Sequence, residues 1–105
     1  MGKYRFFHIG KNKLKYGTQN KSMHGAPNSN LDTYNKKTGR FHSRRKYGAS
    51  GHAVVDLDVA TKVHPNDHAH DIKGNNRADG RPLTRKERRE VNKAKRKRRF
   101  WNNGK

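Results

Sequence analysis

Residues 52–60 form the most strand-like stretch of the chain, with the sequence His52-Ala53-Val54-Val55-Asp56-Leu57-Asp58-Val59-Ala60. With a period of two, the carboxylates Asp56 and Asp58 fall on one face, together with His52 and Val54. The other face is aliphatic and comprises Ala53, Val55, Leu57 and Val59. The pattern predicts a strand with one core face and one acidic face.

Further strand signals precede this stretch. In residues 40–47, Phe41 and Tyr47 alternate to one side and basic side chains to the other, and the Gly-flanked turn 48–51 predicts a hairpin with residues 52–60. Aromatic and alternating residues within 4–16 predict one or two more short strands. Residues 17–39 are rich in Gly, Asn, Ser and Lys, so we expect a flexible loop there.

The signal changes to helix after Pro82. Thr84-Arg85-Lys86-Glu87 fits a capping box, and good helix formers follow it, which predicts a helix over 84–101. The expected fold is therefore α+β. A small antiparallel sheet of three or four strands spans residues 4–72 within a β-rich unit (1–81), and one basic C-terminal helix occupies the segment 82–105.

Charge restricts the function classes. The 105 residues include 27 Lys+Arg against 8 Asp+Glu, a net charge of +19, and only 28% are hydrophobic. Globular domains have roughly 45–50%, so a large core is excluded. No cysteine is present for a thiolate metal site, and no apolar stretch has the length of a membrane span. Such a basic chain predicts a polyanionic partner, most commonly RNA or DNA, with an acidic protein as the alternative. We expect no membrane contact and a cytoplasmic or virion location.

The positive charge lies in two wings around a nearly neutral centre. Residues 1–50 carry +11, residues 51–81 carry −1, and residues 82–105 carry +9. We expect the basic residues to neutralise phosphates and Trp101 to stack on a base, rather than to form a merely solvated helix. The predicted contacts are Arg44, Arg45, Arg85, Arg88, Arg89, Lys93, Arg96, Lys97, Arg99 and Trp101.

The neutral centre concentrates the groups that could perform chemistry. Asp56 and Asp58 are about 6–7 Å apart on one strand face, and His68 and His70 also alternate by two. If residues 66–72 extend beside the central strand, imidazoles lie opposite carboxylates, as a His/Asp acid–base pair or a two-His, one-carboxylate metal site requires. The candidate catalytic residues are His64, His68, His70, Asp56 and Asp58. Arg44, Arg45, Arg77 and Arg81 are the nearest cations along the chain to stabilise charge on a phosphate.

Two other interpretations of this segment remain open. The His-, Asn- and Asp-rich stretch 63–70 is also typical of an ordinary polar loop, with its acids paired to lysines. A divalent metal is possible, but no spacing here is a specific metal signature, so no cofactor is predicted. The N-terminal aromatics are ambiguous in the same way. Phe6, Phe7 and Phe41 are the expected core residues, and Tyr4, Tyr16 and Tyr47 the expected surface contacts.

Residues 51–58 together with the stretch His64-Pro65-Asn66-Asp67-His68-Ala69-His70 resemble a known type of module. Short modules with an aspartate-rich strand and an H-P-x-x-H-x-H turn occur at the ends of bacterial polymorphic toxins and in small phage reading frames. The resemblance covers residues 40–75 and implies a small nuclease-like unit that uses Asp56, Asp58, His64, His68 and His70.

Charge and resemblance together lead to one expected function. They predict a nucleic-acid-binding protein of phage or mobile-element type, with a ribonuclease-like phosphodiesterase site as a secondary prediction. The alternatives are a non-catalytic virion, ribosome-associated or nucleoprotein component, and a basic protein inhibitor of a nucleic-acid-binding partner.

Overall fold

A computed structural model describes residues 4–7, 22–35, 38–62 and 64–96. Five strands follow one another as antiparallel neighbours: β1 (Tyr4–Phe7), β2 (Asn30–Asn35), β3 (Phe41–Tyr47), β4 (Ala53–Asp58) and β5 (His68–Lys73). Two short strands, β6 (Asn76–Arg77) and β7 (Arg81–Pro82), both pair with β5, and the helix α1 (Arg85–Lys95) follows. The predicted α+β class with a C-terminal helix is confirmed, although the sheet has more strands than the three or four expected.

One face of the sheet packs against α1, and we call it the helix face. Four residues on neighbouring strands lie side by side across this face, each paired in register with the next: Asp32, Arg44, Leu57 and Ala69. Leu57 and Ala69 are fully buried in one cluster with Val91 and Ala94 of the helix. The helix is amphipathic and has Val91 and Ala94 on its buried side, so burying them docks it onto β4 and β5.

The other face, which we call the polar face, has two rows of residues that are paired in register across neighbouring strands. The first is Leu31, Arg45, Asp56 and His70, and the second is Thr33, Ser43, Asp58 and His68. A small apolar cluster of Leu31, Tyr47, Ala53 and Ile72 flanks the first row, with Met23 packed against it. Most of the predicted catalytic residues therefore share one surface.

Two local expectations about the sheet are wrong. Residues 30–35 lie inside the segment expected to be a loop, yet they form β2, because Leu31 and Tyr34 are buried in the apolar clusters and Asp32 is held by Arg44. Tyr47 is a buried residue rather than a surface contact, since it packs in the cluster with Leu31 and its hydroxyl donates to the Ser22 carbonyl.

The start of α1 agrees with the capping-box prediction. The Thr84 hydroxyl accepts from the Glu87 amide at 3.1 Å, and the Glu87 carboxylate accepts from the Thr84 amide at 2.9 Å. Arg96 is the C-cap, and the predicted continuation from 97 to 101 lies outside the described residues, as does Tyr16. Phe41 is buried as expected, whereas β1, which contains Tyr4, Phe6 and Phe7, is described by its backbone alone.

Candidate functional site

The register between β4 and β5 brings together the predicted acids and imidazoles. Asp58 is the direct partner of His68, and Asp56 is the direct partner of His70. Because both strands alternate with period two, all four side chains project from the polar face. The expected placement of imidazoles opposite carboxylates is confirmed for these four residues.

Asp58 is the centre of the resulting cluster. Its Oδ2 atom accepts a hydrogen bond from Arg77 Nη2 at 2.8 Å and lies 3.8 Å from His68 Nε2 and 3.7 Å from His70 Nε2. Its Oδ1 atom is buried and has no hydrogen-bond partner among the described residues. One ligand atom from each of Asp58, His68 and His70 lies within 4.8 Å of the other two, so these three residues can hold a metal ion.

Hydrogen bonds to the backbone fix the orientation of both imidazoles. His68 Nδ1 lies 2.8 Å from the Asn66 carbonyl oxygen, and His70 Nδ1 lies 2.9 Å from that of Ala78. A carbonyl oxygen can only accept, so each Nδ1 must be the donor and bear a hydrogen. The other ring nitrogen, Nε2, faces Asp58 in both residues.

Asp56 differs from Asp58, although the sequence places the two as a pair. Its side chain is 1% exposed, Arg45 donates to both of its oxygens at 2.7 and 2.8 Å, and Arg77 adds a third bond at 2.9 Å. A carboxylate held this firmly by two guanidinium groups stabilises the fold. Asp56 thus lies beside the cluster as a buried, ion-paired carboxylate, and this surrounding favours a structural role over the predicted catalytic one.

His64 lies at the edge of the cluster and faces a cleft. It is exposed, and its ring centroid is 4.8 Å from that of His68. A cleft of about 720 Å³ lies beside the two rings and is lined by both of them, by Asp67 and Arg81, and by Arg88 and Lys95 of the helix. The cleft therefore joins the histidine cluster to the basic helix.

The predicted nucleic-acid contacts divide into three groups. Arg85, Arg88, Arg89, Lys93 and Arg96 are exposed, as expected. Arg44 and Arg45 have a different surrounding, because each forms a two-bond ion pair with an aspartate and their side chains are 17% and 8% exposed. Lys97, Arg99 and Trp101 lie outside the described residues.

Arg44 shows why a basic residue need not be a phosphate contact. It bonds Asp32 through Nε and Nη2, at 2.7 and 2.8 Å, and Glu90 of α1 through Nη1 at 2.8 Å. Burial by itself disfavours its charge, but the bonds to the two carboxylates outweigh this and raise the pKa of Arg44. Sequence reasoning missed this network because Asp32 lay in the expected loop and no local signal links Glu90 to β3.

Most acids are already paired within the protein. Seven of the eight form ion pairs at distances up to 2.9 Å: Asp32, Asp56, Asp58, Asp67, Asp71, Glu87 and Glu90. Where the structure describes side chains, the exposed cations without an ion pair are Arg40, Lys62, Lys73, Arg85, Lys86, Arg88, Arg89, Lys93 and Arg96. Six of these nine lie on the helix or at its C-cap.

No protein-family model, curated protein or solved structure matches this chain. Within the described ranges, no helix is both long enough and apolar enough to cross a bilayer.

Proposed function

We propose that this protein binds nucleic acid, by phosphate contacts along the outer side of α1. The observation that carries the proposal is the separation of charge in the described residues. Seven of the eight acids form ion pairs with arginines and lysines of the protein, whereas six of the seven cations on the helix and its C-cap are exposed and have no ion pair among the described residues. Such a surface attracts a polyanion and gains counterion-release free energy when it binds phosphates.

The helix presents these cations as a stripe. At 100° per residue, Arg85, Arg89, Lys93 and Arg96 fall within an arc of about 80°, and a rise of 1.5 Å per residue spaces them over about 16 Å. This arc lies on the side opposite Val91 and Ala94, which bind the sheet. A strand of RNA or DNA can therefore lie along the stripe without displacing the helix from the core.

A cleavage activity is the second part of the proposal, and the cleft favours it. His64 and His68 line the same cleft as Arg88, so a phosphodiester held by the guanidinium lies beside two imidazoles. One imidazole can remove the proton from a ribose 2′-hydroxyl or a water, and the other can protonate the leaving oxygen. The attacking oxygen forms the new bond to phosphorus as the bond to the leaving oxygen breaks. The resemblance to phage and toxin nuclease modules supports the same activity.

The binding proposal is tested by salt titration with matched variants. The probes are a labelled single-stranded RNA, the DNA of the same sequence, and a duplex. We expect log affinity to fall linearly with log salt, and the triple variant Arg85→Ala, Arg89→Ala, Arg96→Ala to reduce the slope on single strands by about 2. The control triple variant, Arg40→Ala, Lys62→Ala and Lys73→Ala, removes the same charge from exposed positions off the helix.

The outcomes separate the candidate functions. A salt-independent affinity would reject nucleic-acid binding, and equal losses in both triple variants would reject the helix as the binding surface. Cleavage of labelled RNA or DNA that His68→Ala abolishes and His52→Ala leaves intact would support the nuclease. Binding without cleavage supports a virion, ribosomal or nucleoprotein component, whereas a stoichiometric protein complex that survives nuclease treatment supports an inhibitor.

A further inference from the structure

We infer that Asp58, His68 and His70 form a binding site for one divalent transition-metal ion of the Zn²⁺ class. The three residues come from the paired strands β4 and β5, and their side chains are largely buried on the polar face. Ion binding does not depend on nucleic acid. The use of the ion in cleavage rests on the proposed function.

The first argument is that the three ligand atoms face one another. Both Nδ1 atoms donate to backbone carbonyls, so the ring nitrogens turned toward the Asp58 carboxylate are the two Nε2 atoms, at 3.8 and 3.7 Å. An imidazole binds a metal ion through the ring nitrogen that carries no hydrogen, and with Nδ1 as donor that nitrogen is Nε2. A cation placed among the three ligand atoms would form a bond to each of them.

The buried Oδ1 atom of Asp58 is a second, independent observation. Arg77 occupies only Oδ2, and Oδ1 has no hydrogen-bond partner within the described part of the chain. Buried carboxylate oxygens are nearly always paired, so an unpaired one requires an explanation. A metal ion that also contacts Oδ1 of this carboxylate would supply the missing partner.

The spacing fits a four-coordinate ion. With metal–nitrogen bonds of about 2.0–2.1 Å and metal–oxygen bonds of about 2.0–2.2 Å, tetrahedral ligands lie about 3.4 Å apart, and octahedral neighbours about 2.9 Å apart. The observed separations of Asp58 Oδ2 from the two Nε2 atoms are 3.8 and 3.7 Å. These two separations are within a few tenths of an ångström of a tetrahedral edge and about twice as far from an octahedral one, and the three ligand atoms all lie within 4.8 Å of one another.

The surrounding contacts are those that metal-binding imidazoles and carboxylates require. Ligating histidines commonly donate their second ring nitrogen to a carbonyl or carboxylate, and ligating carboxylates are hydrogen-bonded in turn. Both features are present here, in the two Nδ1 bonds and in the Arg77 bond to Asp58. Arg77 is itself held in place by Asp56, so the site is positioned before any ion arrives.

The ligand set selects the class of ion. Two imidazoles and one carboxylate suit Zn²⁺, Co²⁺, Ni²⁺ or Fe²⁺, whereas Mg²⁺ and Ca²⁺ prefer oxygen ligands throughout. Three protein ligands leave a fourth tetrahedral position for water or a substrate oxygen, as in catalytic zinc sites. An ion here would take His68 Nε2 as a ligand and supply a Lewis acid next to the cleft that His64 and His68 line, so that His64 would be the imidazole left for proton transfer.

The test uses the full-length chain without an affinity tag, stripped of metal and titrated with Zn²⁺ or Co²⁺ alone. Equilibrium dialysis with elemental analysis should give one ion per chain, and Co²⁺ should produce the intense visible bands of four-coordinate cobalt. His70→Ala and Asp58→Asn should weaken binding at least about 100-fold, because loss of outer contacts alone costs roughly 10–100-fold. The matched control His52→Ala removes an imidazole that lies outside the cluster and should leave the affinity unchanged.

A measurement on the wild-type chain covers the case in which a variant fails to fold. Zn²⁺ should shift the Nε2 resonances of His68 and His70 in nitrogen-15 spectra and leave those of His52 in place. Absence of a stoichiometric ion would overturn the inference, as would unchanged affinity in folded His70→Ala. A proton shared with Asp58 would then be the occupant of the site.

Cleavage assays with and without a chelator separate this inference from the proposed function. One bound ion in a chain that cleaves no nucleic acid would reject the nuclease and keep the metal site. Cleavage by a chain that binds no ion would reject the metal site and keep the nuclease. Chelator-sensitive cleavage restored by Zn²⁺ would support both.

Discussion

Two aspartates, Asp56 and Asp71, test how burial sets the stability that an ion pair contributes, because each is held by two bonds from one arginine but only Asp56 is buried. Asp56 and Asp71 each accept two bonds from a single arginine, at 2.7 and 2.8 Å from Arg45 and at 2.8 and 3.0 Å from Arg81. Asp56 is 1% exposed and Asp71 is 48% exposed. Replacing each by alanine removes a two-bond arginine partner from two different surroundings, and Asp56→Ala also removes the 2.9 Å bond from Arg77.

The expected magnitudes follow from what each substitution leaves behind. Asp56→Ala leaves the Arg45 guanidinium buried without its carboxylate, which costs about 3–5 kcal/mol of unfolding free energy. Asp71→Ala leaves a partly exposed arginine that keeps its bonds to Glu87, so the cost is at most about 1 kcal/mol. At roughly 4–8 °C per kcal/mol for a small domain, the melting temperatures should fall by at least about 12 °C and at most about 8 °C, respectively.

Urea unfolding followed by circular dichroism measures both free energies. The double variant Asp56→Leu, Arg45→Met should recover much of the loss, because it removes the buried charge together with its partner. If the two aspartates cost the same within about 0.5 kcal/mol, the reasoning from burial is refuted. Loss of metal binding in Asp56→Ala without loss of stability would likewise contradict a structural role for Asp56.

Three further outcomes are expected. Leu57→Ala should cost about 2–5 kcal/mol in urea unfolding, since its fully buried side chain joins the sheet to α1. Thr84→Ala should cost about 0.5–2 kcal/mol by removing the N-cap, and Thr84→Ser should not. Burial by itself raises the pKa of Glu90, but bonds from Lys46 and Arg44 lower it overall, so its stabilisation is full above about pH 4.3 and is lost as pH falls through the lowered value. The stability difference between wild type and Glu90→Gln in thermal melts should therefore shrink between pH 7 and pH 3, and a constant difference would contradict that role.

Much of the candidate site was predictable because its geometry is local to two strands. Alternation within residues 52–58 assigns Asp58 to the polar face, and alternation within 68–70 does the same for His68 and His70. Once the two strands pair, the only further requirement is the register, and Asp58 does lie opposite His68. The helix start was predictable for a similar reason, since a capping box involves only four consecutive residues.

The errors concern residues whose state depends on distant parts of the chain. Residues 30–35 have a weak strand signal, and they become a strand because β1 and β3 pair with them on both sides. Asp56 and Asp58 are equivalent in the sequence pattern, yet it is Asp56 that accepts two bonds from Arg45 of β3. The β-propensity of a segment does not predict such pairings, because packing against neighbouring strands overrides it.

By itself, the sequence determines the excess of positive charge, the alternation of the central strands and the start of the helix, because each follows from composition or from residues within one turn or strand. Only the tertiary structure decides which cations are free. Arg44 and Arg45 are neutralised by Asp32, Glu90 and Asp56, from other strands and the helix, whereas Arg85 and Arg89 find no such partner among the described residues. The physical reason is that an ion pair needs atoms a few ångströms apart, and sheet register and helix docking set those distances.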